Sequence, residues 1–263
     1  MLKKIFEQNV KIEKGLGLSL SKIKMFNNCN YRYYLQYFKK EKIDKKDYNP
    51  KFFKIGQFAH KWIESKIKGV ECTFNSTTLT DEDKTKTVSN CENVFKNEYI
   101  KSLIEMGGVA EEGFSMNISP KEIDGLVAYP KYSRKADFSG IIDFYVIDGK
   151  TAHIVDWKTG SIKDDSDESF MQLMLYAKAL QKLKNVNKIK MSFFYTDHNK
   201  LVTRDITIDE LNLKIQKIVE NGINIPTKDE EILFPPNVGE VCKYCPYSVK
   251  RKSDGIVACK YIK

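Results

Sequence analysis

The chain has 263 residues, a formal net charge of +9 and 41% hydrophobic residues, enough apolar material for a sizeable core, so wholesale disorder is excluded. No run approaches the ~18 apolar residues of a membrane span, and MLKKIFEQNVKIEKG at the N-terminus lacks the apolar centre of a signal peptide, so a cytoplasmic protein with no membrane partner is expected. The basic surplus points to an anionic partner, nucleic acid first, although scattered lysines from a general lysine bias would give the same charge.

After a polar lead-in, Ser19 or Ser21 can cap a helix running to about Lys40, with Ile23, Phe26, Tyr33 and Tyr37 near helical spacing. Residues 44–50 read as a charged loop. Residues 56–68, GQFAHKWIESKIK, read as a second helix stopped at Gly69. Residues 71–90 are polar and rich in Ser and Thr, as a loop or lid would be, and residues 91–106 form a helix ended by Gly107-Gly108. The pattern then turns to strands at 112–118 and 123–129. FSGIIDFYVIDGKTAHIVDWKTG is two β-rich runs joined at Asp148-Gly149, a two-residue hairpin signal. An amphipathic helix at 168–185, the strands KIKMSFFYT and LVTRDITI, and the helix DELNLKIQKIVENG follow. The chain is irregular from Phe234. This order predicts one α/β domain over 1–263: a helical part at 18–110, an α/β core at 111–233 with a mixed central β-sheet flanked by helices, and a cysteine-bearing segment at 234–263.

The hairpin carries charges that a buried strand rarely tolerates unless they are paired, bind metal or do chemistry. With Asp148-Gly149 as the turn, Ile147 opposes Lys150 and Asp143 opposes Ile154. Alternation then puts Asp143, Asp156 and Lys158 on one face, with the two acids as diagonal neighbours. Ile142, Phe144, Val146, Val155 and Trp157 fall on the other face, a packing surface. Two carboxylates this close repel unless a hard divalent cation, Mg2+ or Mn2+, lies between them. The Trp157 carbonyl could add a ligand, and Lys158 could orient water or stabilise charge on a phosphate. A surface Asp–Lys pair on an edge strand is the plainer reading of Asp-x-Lys taken alone.

Taken together, the motifs resemble the PD-(D/E)XK nuclease superfamily, in the RecB-like branch that includes AddB nuclease domains and CRISPR-adaptation exonucleases. LSLSKIKMFNNCNYRYYLQY resembles its N-terminal helix with a cysteine. GQFAHKWIE resembles its histidine motif at His60, GIIDFY its Gly-x-x-Asp motif at Asp143, and IVDWKTG its core motif at Asp156 and Lys158. QLMLYAKAL resembles its Gln-x-x-x-Tyr helix at Gln172 and Tyr176. The resemblance implies a restriction-endonuclease-like core and metal-dependent hydrolysis of DNA, with His60 joining Asp143 and Asp156 as a metal ligand and Gln172 and Tyr176 facing the site. Ordinary helix packing is the competing use of His60, Gln172 and Tyr176. Glu111 or Glu112 matches an upstream acidic position, with nothing in the sequence to choose between them.

Six cysteines in such a chain read as free thiols or metal ligands. Cys242-x-x-Cys245 and Cys259 put three thiols near the C-terminus, and Cys29 is the candidate for a fourth. The resemblance implies a [4Fe–4S] cluster on Cys29, Cys242, Cys245 and Cys259, in an iron–sulfur subdomain joining the two ends. Four-cysteine zinc satisfies the same count. The interval from Cys245 to Cys259, which carries Lys250, Arg251 and Lys252, is longer than the family's usual spacing. Cys72 and Cys91 match nothing and read as buried or loop residues.

Gly149-Lys150-Thr151 is no phosphate-binding loop, because Phe144 stands where its first glycine is required. A helicase or recombination partner would therefore be a separate chain, and a homo-oligomer is compatible. Tyr31, Tyr33, Tyr34, Tyr37 and Phe38 are a core set more often than a base-stacking one. Two functions compete: a Mg/Mn-dependent deoxyribonuclease, expected to be an exonuclease on DNA ends or single strands, and a non-catalytic DNA-binding or assembly module keeping the same fold and cluster.

Overall fold

The computed structural model describes residues 17–43, 50–119, 125–162, 166–250 and 254–262. The polar lead-in, the loop at 44–49, the first residues of the strand expected at 123–129, and Arg251 and Lys252 lie outside the described residues. No described helix is long and apolar enough to cross a membrane.

The chain divides into two compact units, one spanning 50–216 and the other combining 18–49 with 217–263. This divides the expected helical part: its first helices pack with the C-terminal segment, and the rest with the sheet.

In the larger unit, α3 (Pro50–Lys68) starts on a proline, tolerated in a first turn, and stops before Gly69 at φ +64°. α4 (Asp81–Lys96) begins inside the segment expected to be a loop. Thr80 and Asp83 close a capping box there, which satisfies the first free amides and overrides the polar composition. α5 (Glu98–Glu105) is capped by Asn97, which accepts from the Ile100 amide at 3.1 Å. The sheet follows with β1 (Val109–Ile118), β2 (Leu126–Tyr129), β3 (Phe138–Asp148), β4 (Thr151–Lys158), β5 (Lys188–Tyr195) and β6 (Lys200–Thr207) in the order β2-β1-β3-β4-β5-β6. Only β4 and β5 pair in parallel, and α6 (Asp167–Lys184) makes the crossover between them. The sheet is therefore mixed.

Helices cover both faces. Ala59 and Ile63 of α3, Cys91 and Val94 of α4, and Ile100 and Leu103 of α5 pack on Phe144, Val146, Val155, Trp157 and Phe194. Cys91 is a core residue whose thiol is pushed up to about 12 by burial. On the opposite side Phe170 of α6 meets Phe193 with ring centres 4.8 Å apart. β4 is thus central and buried on both faces, which is why its sequence is apolar apart from its charges.

The hairpin differs from expectation by two residues. Asp148 pairs with Thr151 and Phe144 with Val155, so the turn is Gly149-Lys150, with Gly149 at φ +55°. An even shift leaves every side chain on its expected face. It moves Asp156 from diagonal to Asp143 to directly beyond the last paired residues, opposite Asp143.

In the smaller unit, the expected single helix is two: α1 (Leu20–Asn28), capped by Ser19, and α2 (Asn30–Tyr37). Cys29 between them is extended, ending the first and starting the second. Tyr31, Tyr33 and Tyr34 are buried, and Tyr33 and Tyr34 stack on Phe234 at 6.2 and 5.0 Å. These aromatics are core. α7 (Ile208–Ile223) spans the boundary between the units.

Candidate active site

The acidic centre is built from four elements of the larger unit. α3 brings His60, whose Nδ1 lies 3.3 Å from Asp143 Oδ2 on β3. The Trp157 amide donates to the same Oδ2 at 2.9 Å, fixing the Asp143 carboxylate where the β3–β4 ladder stops. His60, Glu111 of β1 and Asp143 each present one ligand atom, and the three atoms lie within 4.8 Å of one another.

Glu111 is in the site because β1 is irregular there. It is a non-glycine residue at φ +57°, and the β1–β3 pairing steps over the Glu111 and Asp143 positions. The alternation of side chains breaks at this residue. Ala110 packs in the core with α3, Glu111 meets His60 and Asp143, and Glu112 turns to the Tyr145 hydroxyl and to Lys184 of α6, 3.8 Å away. Sequence periodicity offers no sign of a left-handed residue at this position.

Asp156 on β4 is 1% exposed. Its Oδ2 is ion-paired with the Lys158 ammonium at 2.5 Å. Burial, and then the charge of Asp143, pushes the Asp156 carboxyl up to about 6 against the pull of Lys158 and His60. Burial and Asp143 likewise raise Glu111 to about 7, with His60 opposing. For His60, burial disfavours the charge, but the hydrogen bond and charge of Asp143, with Asp156 and Glu111, outweigh it and lift the imidazole to about 9. Three carboxylates face two cations here, one of them a weak acid. One imidazole and two carboxylates converging in an excess of negative charge, with the buried Asp156 carboxylate nearby but outside the converging three, fit a hard divalent cation.

A model of the PD-(D/E)XK nuclease superfamily matches residues 17–249. The chain belongs to this superfamily. A presumptive exonuclease from Eubacterium rectale has a similar fold, with a TM-score of 0.53 and 14% identity over 87% of this chain and 86% of that one. The protein SSO0001 aligns over 96% of this chain and 94% of its own at 15% identity, with a TM-score of 0.39, too low to bear on the fold. A search of curated proteins found no match.

The superfamily's Gly-x-x-Asp spacing has a steric reason in this chain. A Cβ on Gly140 would lie 3.0 Å from the rings of Phe114 and Tyr176, so a side chain here would push these rings back by a few tenths of an ångström from the strand that carries Asp143. Gln172 Nε2 donates to the Tyr176 hydroxyl at 2.5 Å. Burial, and then the charges of Asp156 and Asp143, raise the Tyr176 hydroxyl far above its ordinary value, so it stays protonated beside the acids.

The smaller unit holds the second constellation. Cys29, Cys242, Cys245 and Cys259 are free thiols lining one cavity of about 230 Å³. Burial, and then the other three, raise the Cys259 thiol, as expected where four such groups face each other. The Gly239 amide points at Cys242 Sγ at 3.5 Å, and Arg32 lines the cavity with a buried Nε that has no partner among the described residues. Four soft thiols with N–H donors around them fit an anionic thiolate-bound metal centre.

Proposed function

We propose that the protein is a Mg2+- or Mn2+-dependent DNA nuclease acting as an exonuclease on DNA ends or single strands. The observation that carries this reading is the convergence of one donor atom each from His60, Glu111 and Asp143 within 4.8 Å, beside the buried Asp156 carboxylate that pairs with Lys158. His60, Asp143 and Asp156 would hold the cation, with Glu111 beside them and the Trp157 carbonyl as a further ligand. When bound, the cation would supply Lewis-acid activation for phosphodiester hydrolysis.

The chain's own residues do the rest. The Trp157 amide and His60 hold Asp143 in one orientation, so no reorganisation is needed on substrate binding. Lys158 is anchored by Asp156 and lies over the Phe193 ring at 5.2 Å, which keeps its ammonium at the rim of the acids. There it orients the attacking water and stabilises negative charge building on the phosphate. Tyr176, held protonated and positioned by Gln172, offers a donor to the scissile strand.

Cys29, Cys242, Cys245 and Cys259 would carry a [4Fe–4S] cluster. Four free thiols lining one cavity, with the Gly239 amide directed at Cys242, support such a cluster, and a zinc ion on the same four thiols is the second reading.

The test uses labelled single-stranded and duplex DNA with Mn2+, comparing the protein with Lys158→Ala. The expected result is cleavage from the ends that falls at least about 100-fold in the variant while DNA binding is kept. Tight binding by both proteins with cleavage by neither would leave the non-catalytic DNA-binding module instead.

A further inference from the structure

Phe52 and Phe53 of α3 are 72% and 53% exposed, and both line the cavity that contains His60, Glu111 and Asp143. Single exposed apolar residues are ordinary. Two adjacent phenylalanines at the mouth of a polar catalytic cavity are not accounted for by folding, since the packed side of α3 is formed by Ala59 and Ile63. Phe52, Gly56 and His60 are spaced four apart and lie in one row along the helix. Gly56 leaves that row empty between the ring and the imidazole. A Cβ there would meet Thr159 Oγ1 at 3.4 Å, so the row is a shallow trough floored by the residue that follows Lys158.

Resting on the nuclease reading above, we propose that Phe52 and Phe53 are a stacking platform for unpaired bases of a single-stranded DNA end, which enters the acidic centre along the Gly56 trough. Unpaired bases offer bare π-faces of any sequence, whereas a duplex keeps those faces covered by its own stacking. His60 lies eight residues beyond Phe52 and seven beyond Phe53, ~10–12 Å along the helix at ~1.5 Å per residue. A stacked strand advances ~3.4 Å per nucleotide, so the platform holds bases about three nucleotides from the phosphate at the acids. Among the described residues Lys54, between the platform and the trough, bonds only the neutral Gln57 amide oxygen, at 3.0 Å, leaving its charge for a backbone phosphate.

The experiment measures fluorescence anisotropy of a labelled oligothymidylate of about ten nucleotides and of a blunt duplex. The full chain is compared with Phe52→Ala, Phe53→Ala and Phe52→Trp, in EDTA so that the probe is not consumed. Each alanine variant is expected to bind the single strand at least about five-fold more weakly and the duplex with unchanged affinity. Phe52→Trp keeps the affinity, and its emission is quenched by the single strand. Unchanged single-strand affinity in both alanine variants, or equal weakening on single strand and duplex, overturns the platform. Mn2+-dependent cleavage by the unaltered protein is measured alongside. Cleavage with no alanine effect removes the platform alone, and selective loss of single-strand binding without cleavage removes the nuclease reading alone.

Discussion

Replacing Asp156 by Asn should stabilise the metal-free protein while abolishing its cleavage of DNA. The carboxyl is raised from 3.8 to about 6 by burial and by Asp143. At ~1.4 kcal/mol per pKa unit, keeping it charged costs about 3 kcal/mol. The sign follows from the raised value. The folded state binds the proton more tightly than the unfolded chain, so the penalty is absent below about pH 4, grows between about 4 and 6, and is complete above about 6. Asn is isosteric and uncharged, and Lys158, partly exposed, can be solvated when its partner is lost. The variant should therefore melt about 5–10 °C above the unaltered protein at pH 8 in EDTA, and level with it near pH 4. Thermal melts across that range, with and without Mn2+, provide the assay. The unaltered protein should gain stability on metal addition and Asp156→Asn should not. A variant less stable at pH 8, or a difference independent of pH, would refute the argument that this acid is held charged against its surroundings.

Glu111→Gln should raise the Mn2+ concentration needed for half-maximal cleavage about ten-fold or more, whereas Glu112→Gln should not; a metal titration of each separates them. Gly140→Ala should lower stability by about 1–3 kcal/mol in chemical denaturation and reduce cleavage, because its Cβ would press on Phe114 and Tyr176 at 3.0 Å. Cys29→Ser should remove the visible absorbance of anaerobically purified protein, and if the colour survives, Cys29 is no ligand. Arg32→Met should leave the colour but shift the centre's midpoint potential downward, since a cation beside an anionic cluster favours its reduced form.

Much of the β3–β4 strand pair is legible in the sequence, because side-chain parity survives an error in register. The hairpin turn was expected one residue early, yet an even shift in register kept Asp143, Asp156 and Lys158 on one side and Phe144, Val155 and Trp157 on the other. The interrupted apolar run of β4 was readable for the same reason, since a strand buried on both faces admits charge only where something compensates it. The segment at 71–90 misled because its composition is polar, while the Thr80 to Asp83 cap that starts α4 is a local signal of only four residues.

The linear chain by itself determined the α/β class, the acid–acid–lysine arrangement and the four cysteines, all of which rest on near-neighbour spacing. Only the tertiary structure puts Glu111, and not Glu112, beside His60 and Asp143, since that placement depends on one left-handed residue that no periodicity encodes. It also decided that Cys29 interrupts a helix, that the first helices join the C-terminal segment, and that Phe52 and Phe53 stand at the mouth of the acids. Each of these depends on what distant residues leave covered or open, and propensity along the chain carries no information about that.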